Sequence, residues 1–214
     1  IRTTDGGSTW IDTKAGITDY GWATANIVID PVNPHVLYYP TSNFNKSTNR
    51  GDLWTPISAL PYLASWMAIK PNNNQIMYVG TLGGHLYKST NGGSTWTEIW
   101  TDGNGRFISQ IVISPSSPNS LFLSVSNYGP GEHLYTSTDE GMTWTNITGD
   151  LPDVPTHTIR PDIRYSSTLY AGTDLGVFYT TDGGADWLHD DSFPVAIVTD
   201  IGITGDSNLV ASTY

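Results

Sequence analysis

Apolar and polar residues alternate along this chain over short runs, and the runs recur in sets of four. One set reads Trp66-Met-Ala-Ile-Lys70, Ile76-Met-Tyr-Val79, His85-Leu-Tyr-Lys88 and Trp96-Thr-Glu-Ile99. The next reads Ile108–Ile113, Leu121–Val125, His133–Thr136 and Trp144–Ile147, and an earlier one reads Ala25–Asp30, Val36–Tyr39, residues 43–48 and Trp54–Ile57. A period of two in β-branched and aromatic residues predicts strands. The first two runs of each set are parted by a turn rich in Pro, Asn or Ser: Pro31-Val-Asn-Pro34, Pro71-Asn-Asn-Asn74 and Pro115–Asn119. A fourth set runs from Thr158 through Leu169–Gly172 and Val177–Tyr179 to Trp187. Its first strand is expected to be weak, because Arg160, Asp162 and Arg164 break the apolar pattern.

The third and fourth runs are joined by a repeated turn. It reads Thr3-Thr-Asp-Gly-Gly-Ser-Thr-Trp10, Ser47-Thr-Asn-Arg-Gly-Asp-Leu-Trp54, Ser89-Thr-Asn-Gly-Gly-Ser-Thr-Trp96, Ser137-Thr-Asp-Glu-Gly-Met-Thr-Trp144 and Thr180-Thr-Asp-Gly-Gly-Ala-Asp-Trp187. The third position (Asp5, Asn49, Asn91, Asp139, Asp182) can accept from backbone N–H groups just ahead and fix a turn. Gly at the fifth position permits positive φ. The tryptophans (Trp10, Trp54, Trp96, Trp144, Trp187) are apolar anchors for a neighbouring unit and should be largely buried. They lie 44, 42, 48 and 43 residues apart. That period predicts an all-β propeller of four-stranded antiparallel blades, a single domain over residues 1–214. The tail supplies two strands, Thr199–Thr204 and Leu209–Thr213, and the head two more, Ile1–Thr4 and Trp10–Thr13. Either both ends share a fifth blade, which would pair the open sheet edges, or the chain is a segment of a larger propeller.

Composition narrows the partners. Net charge is −11 over 214 residues, with 9 basic side chains, so nucleic acid is not expected. There is no Cys, which removes disulfides and thiol chemistry. No apolar run reaches the length of a membrane span. The five His show no metal-ligand spacing, and an Asp turn with few spaced oxygens does not suit calcium. Neither metal nor cofactor is expected. Arg50-Gly-Asp52 spells a cell-adhesion tripeptide, but Gly51 is the obligatory glycine of its turn.

With the turns and strand order in place, the chain resembles the Asp-box (BNR) repeat propellers of secreted proteins. Ile111-Val-Ile-Ser-Pro-Ser-Ser-Pro-Asn-Ser-Leu-Phe122, Leu151-Pro-Asp-Val-Pro155 and Tyr170-Ala-Gly-Thr-Asp-Leu-Gly-Val-Phe178 carry the likeness furthest. Such propellers occur in sialidases, xyloglucan-cleaving endoglucanases and sortilin-type receptors, so the motif speaks for fold more than for function. The resemblance implies a secreted or surface protein whose ligands bind on the face opposite the boxes. The connections expected there hold Tyr20, Trp22, Tyr62, Trp66, Trp100, Arg106, Tyr128, Glu132 and His133, with His85 and Asp174 beside them. Aromatic rings among polar groups suit sugar stacking or peptide capture. Trp22, Trp66 and Trp100 are expected on one rim, with acidic neighbours that favour a neutral glycan or a protein over an anion.

The leading expectation is a non-catalytic binding or structural module, part of a longer chain or assembly; the alternative is a segment of a glycoside hydrolase. A sialidase-like site would need an arginine cluster and an Arg-Ile-Pro element, and Arg160-Pro161 lacks the Ile. A xyloglucanase-like site needs two carboxylates across a cleft, ~5–9.5 Å apart. Asp174 resembles an acidic position of that group and is the one weak catalytic candidate, with its partner expected from a second propeller.

Overall fold

The computed structural model describes residues 1–19, 26–128, 131–206 and 208–214. Those residues hold eighteen strands and no helix, so no helix is long and apolar enough to cross a membrane. Four antiparallel sheets follow one another as propeller blades. The first blade is β1 (Val28–Ile29), β2 (Leu37–Pro40), β3 (Asn43–Ser47) and β4 (Thr55–Ala59). The second is β5 (Ala64–Ile69), β6 (Met77–Thr81), β7 (His85–Ser89) and β8 (Thr97–Thr101). The third is β9 (Phe107–Ile113), β10 (Leu121–Ser126), β11 (Leu134–Ser137) and β12 (Thr145–Asn146). The fourth is β13 (Thr156–Pro161), β14 (Leu169–Thr173), β15 (Gly176–Thr180) and β16 (Leu188–His189). A hairpin of β17 (Val198–Ile203) and β18 (Leu209–Thr213) follows.

The weak inner strand expected in the fourth blade forms. Arg160 leans on β17, where its Nε donates to the Ile201 carbonyl at 2.8 Å and its Nη2 to Asp200 at 3.1 Å. The head forms a single bridge, Arg2 to Ile11, and not two full strands. Among the described residues no strand pairing joins the head to the tail hairpin, so a shared fifth blade does not appear.

The core is a series of layers between blades. Val36, Phe44, Met67 and Val79 fill the first; Leu86, Ile108, Ile111 and Leu123 the second; Phe122, Ile159, Leu169 and Trp187 the third. Val177, Val198 and Ile201 form the last, against the hairpin. The second strands β6 and β10 are buried along their whole length, as strands covered on both faces must be.

Every box has the same wiring. In the second blade the Ser89 hydroxyl donates to Asn91 Oδ1 at 2.9 Å and accepts the Gly93 N–H at 2.9 Å, while Asn91 Oδ1 accepts the Thr95 N–H at 2.9 Å. Ser137, Asp139, Gly141 and Thr143 repeat this at 2.8, 2.8 and 2.9 Å. The hydroxyl at the first position therefore does as much as the Asp or Asn. Three box tryptophans reach back to the preceding repeat, while Trp144 Nε1 donates to the Gly141 carbonyl of its own box. Trp54 Nε1 donates to the Thr13 carbonyl, Trp96 to Ser58 Oγ and Trp187 to the Ile147 carbonyl. Trp54 and Trp187 are buried and Trp96 and Trp144 partly so. Trp10 departs from the expectation: it is 59% exposed, because no described strand lies on that side of it.

Candidate functional site

The boxes occupy one end of each blade. The opposite end carries the β2–β3, β6–β7, β10–β11 and β14–β15 connections and the segments leading into the next blade. Of the residues expected there, Tyr20 and Trp22 lie outside the described residues. Tyr62, on the segment between the first two blades, stacks on the His85 imidazole with centroids 4.2 Å apart and planes 9° apart. His85 Nδ1 lies 3.3 Å from Glu98 Oε1 without hydrogen-bond alignment.

Four residues expected to meet a ligand are held in the framework. His133 is completely buried; its Nδ1 faces the Val125 carbonyl at 3.1 Å and its Nε2 faces Asp153 at 2.9 Å. Arg106 is 6% exposed, with Nη2 2.6 Å from Asp102 Oδ1 and 3.0 Å from the Glu132 carbonyl. Burial opposes ionisation of Asp102, but the guanidinium outweighs it and the carboxyl stays below its usual range. Trp100 lies within β8, which runs two residues further than the pattern indicated, and it packs on Tyr135 and Trp144 of the next blade. Trp66 sits inside β5, half-buried, its Nε1 donating to the Ile111 carbonyl at 3.1 Å. The three indoles thus do not form one rim: two bridge blades and the third is undescribed. Glu132 is exposed and accepts from the Tyr135 hydroxyl at 3.1 Å.

Tyr128 and Asp174 do come together. The β14–β15 connection is a tight turn whose Gly176 has φ +112, and Thr173 Oγ1 caps it by accepting the Leu175 N–H. Asp174 stands at its apex. Its Oδ2 accepts the Tyr128 hydroxyl, and its Oδ1 faces His157 Nε2 at 2.7 Å. His157 Nδ1 faces Ser126 Oγ at 3.3 Å. Burial pushes the Asp174 pKa up, but the hydroxyl and the imidazole outweigh it and keep the carboxyl below its usual range. Tyr128 itself is 70% exposed. The result is a phenol ring held upright in solvent by a hydrogen-bonded chain running into the blade.

His157 was not visible as a site residue in the sequence; the strand pairing reveals it. The inner strands β5, β9, β13 and β17 each carry a bulge near their start, at Ser65, Ser109, His157 and Thr199. A bulge re-aims its side chain. Ser65 and Ser109 use theirs to donate to Ile108 and Thr156 of the next blade. His157 alone puts an imidazole there, and it turns toward Asp174 of its own blade.

A comparison with known protein families finds one profile, described as Sortilin-Vps10 (sortilin, neurotensin receptor 3), matching residues 84–192, just over half of the chain. Among curated proteins, the xyloglucanase Xgh74A of Acetivibrio thermocellus is 24% identical over 90% of this chain and 23% of its own length. A xyloglucanase of a Paenibacillus species is 27% identical over 98% of this chain and 21% of its own. An ancestral GH74 enzyme superposes with a TM-score of 0.76 at 25% identity, over 94% of this chain and 28% of that structure. The chain thus spans about a quarter of the length of the proteins it is similar to.

Proposed function

The chain belongs to the Sortilin-Vps10 family, and from that premise we propose that it is a secreted, non-catalytic propeller module that binds a neutral glycan on the face opposite its boxes. The exposed Tyr128 ring, fixed by Asp174 and His157, carries this reading. A sugar ring stacks best on an aromatic face that loses little freedom on binding. Tyr62, braced on His85, offers a second such face toward the first blades. The relatives' name as xyloglucanases supports a glucan backbone over a protein as the first ligand to try. Calorimetry with xyloglucan oligosaccharides tests it. Tyr128→Ala should weaken binding by about 1–3 kcal/mol if the ring is a central anchor, with an unchanged circular dichroism spectrum. Equal affinity in the variant would remove the site.

A second reading, a segment of a glycoside hydrolase, is favoured by those relatives and by Asp174. With its carboxyl held ionised, Asp174 suits a base or a nucleophile better than a proton donor. Hydrolysis needs a second carboxylate, and the other acids expected on this face are engaged: Asp19 by Thr41 and Ser42, Asp102 by Arg106 and Glu132 by Tyr135. Release of reducing ends from xyloglucan by this chain, lost in Asp174→Asn, would establish this reading over the first.

A further inference from the structure

Neighbouring interblade slots at the box end share one strand register and differ in where charge is placed: Lys70 in one corresponds to Asp30 in the other, and Glu140 to Gly92. In the slot between the second and third blades, Lys88 pairs across the strands with Tyr78, and its ammonium lies 5.7 Å from that ring centre. Glu140, the fourth residue of the next box, enters this slot. It accepts from Lys70 Nζ, and its Oε2 from Lys88 Nζ at 3.0 Å. The slot supplies its own carboxylate.

Between the first and second blades, Lys46 pairs with Tyr38 in the same register and stands 5.6 Å from its ring centre. Here the fourth box residue is Gly92. Among the described residues no carboxylate lies within ion-pair distance of Lys46. The nearby acid, Asp30, is buried and committed: its oxygens accept the N–H groups of Val32 and Asn33, the Tyr38 hydroxyl and the Asn74 amide.

What occupies the space is a cleft of about 470 Å³ in which Lys46 is the one charged lining residue. Asn49, Asn74, Gln75, Asn91 and Ser94 add amide and hydroxyl groups to its polar wall. The Asn49 side-chain Nδ2, the Gln75 side-chain Oε1 and the Ser94 hydroxyl carry no hydrogen bond within the described residues. A single half-buried cation calls for a single carboxylate, because charge-assisted hydrogen bonds of this kind outweigh neutral ones. Free amide and hydroxyl groups around it call for a polyhydroxylated body. The volume suits one or two sugar rings.

We propose that this cleft binds a sugar acid, a uronic acid residue whose carboxylate takes at Lys46 the place that Glu140 takes at Lys88. The site lies at the opposite end of the blades from Tyr128 and does not depend on it. The chain's net charge of −11 repels anions at long range, so recognition here rests on contact and is best measured at physiological ionic strength.

The test titrates glucuronic and galacturonic acids against glucose, galactose and acetate by NMR. Uronates should bind about tenfold or more tightly than the neutral sugars, the share expected of one charged hydrogen-bonded contact, and more tightly than acetate. Lys46→Met should remove that preference. Gly92→Glu is the sharper variant. Gly92 has φ +67 and Glu140 φ +59, so a glutamate is accommodated in this backbone conformation one blade away. It should supply the internal carboxylate, abolish uronate binding and leave the melting temperature equal or higher. Uronates binding no better than glucose, acetate binding as well as uronates, or Gly92→Glu retaining full affinity would each overturn the proposal.

Discussion

At the scale of single residues, each box built on Asp pairs a hydroxyl with a carboxylate, and that carboxylate titrates. Asp139 is held down at about 2, chiefly by the Thr143 hydroxyl and then its N–H, and Asp5 likewise by Thr9. Asp182 is lowered first by the Thr180 hydroxyl. A carboxylate whose folded pKa lies below its ordinary 3.8 adds stability that is complete above that value and is lost as pH falls through the folded pKa. The Asp boxes should therefore loosen between about pH 4 and pH 2, while the boxes built on Asn49 and Asn91 should not respond. Asp139→Asn separates the two effects. Asn91 accepts the Thr95 N–H just as Asp139 accepts that of Thr143, so the variant should keep its neutral-pH melting temperature and show a shallower acid loss. A steeper loss would contradict this account. The same scale shows why some site residues were illegible. His85 and His133 occupy matching repeat positions before Leu-Tyr, yet one is half-buried and stacks on Tyr62 while the other is locked by Asp153. Asp153 comes from a connection twenty residues on, which no local pattern ties to His133.

At the scale of elements, the boxes join neighbouring blades alongside the strands. Gly93 illustrates it. A Cβ there would stand 2.0 Å from the Phe44 ring of the preceding blade, and its φ of +86 already disfavours a side chain. Gly183, with φ +84, has open space around it. Gly93→Ala should therefore lower the melting temperature well beyond Gly183→Ala, since both share the backbone cost and only one adds a clash. Trp187→Ala should cost about 3–5 kcal/mol in denaturant unfolding, the range for deleting a buried indole, whereas Trp10→Ala should cost far less. Strand order and box position were legible because period, turn residues and glycine are local signals. The rim of three indoles was not. It assumed that strand four ends at Ile99, and β8 continues to Thr101, carrying Trp100 into an interblade contact.

At the scale of the whole molecule, four separate apolar layers replace one central core. Stability in such an array is close to a sum over neighbours. Amide exchange should be slowest in β6 and β10, buried throughout, and fastest in β12 and residues 1–13; uniform protection along the chain would speak for one cooperative unit instead. The backward reach of the boxes has a consequence for synthesis. Trp54, Trp96 and Trp187 each clasp a residue 41, 38 and 40 positions earlier. On the ribosome, a blade that has fully emerged is still unclasped until one further repeat has been translated. At these three boundaries the nascent propeller therefore trails a provisional blade behind its growing end, open to chaperones and proteases for the time one repeat takes to make.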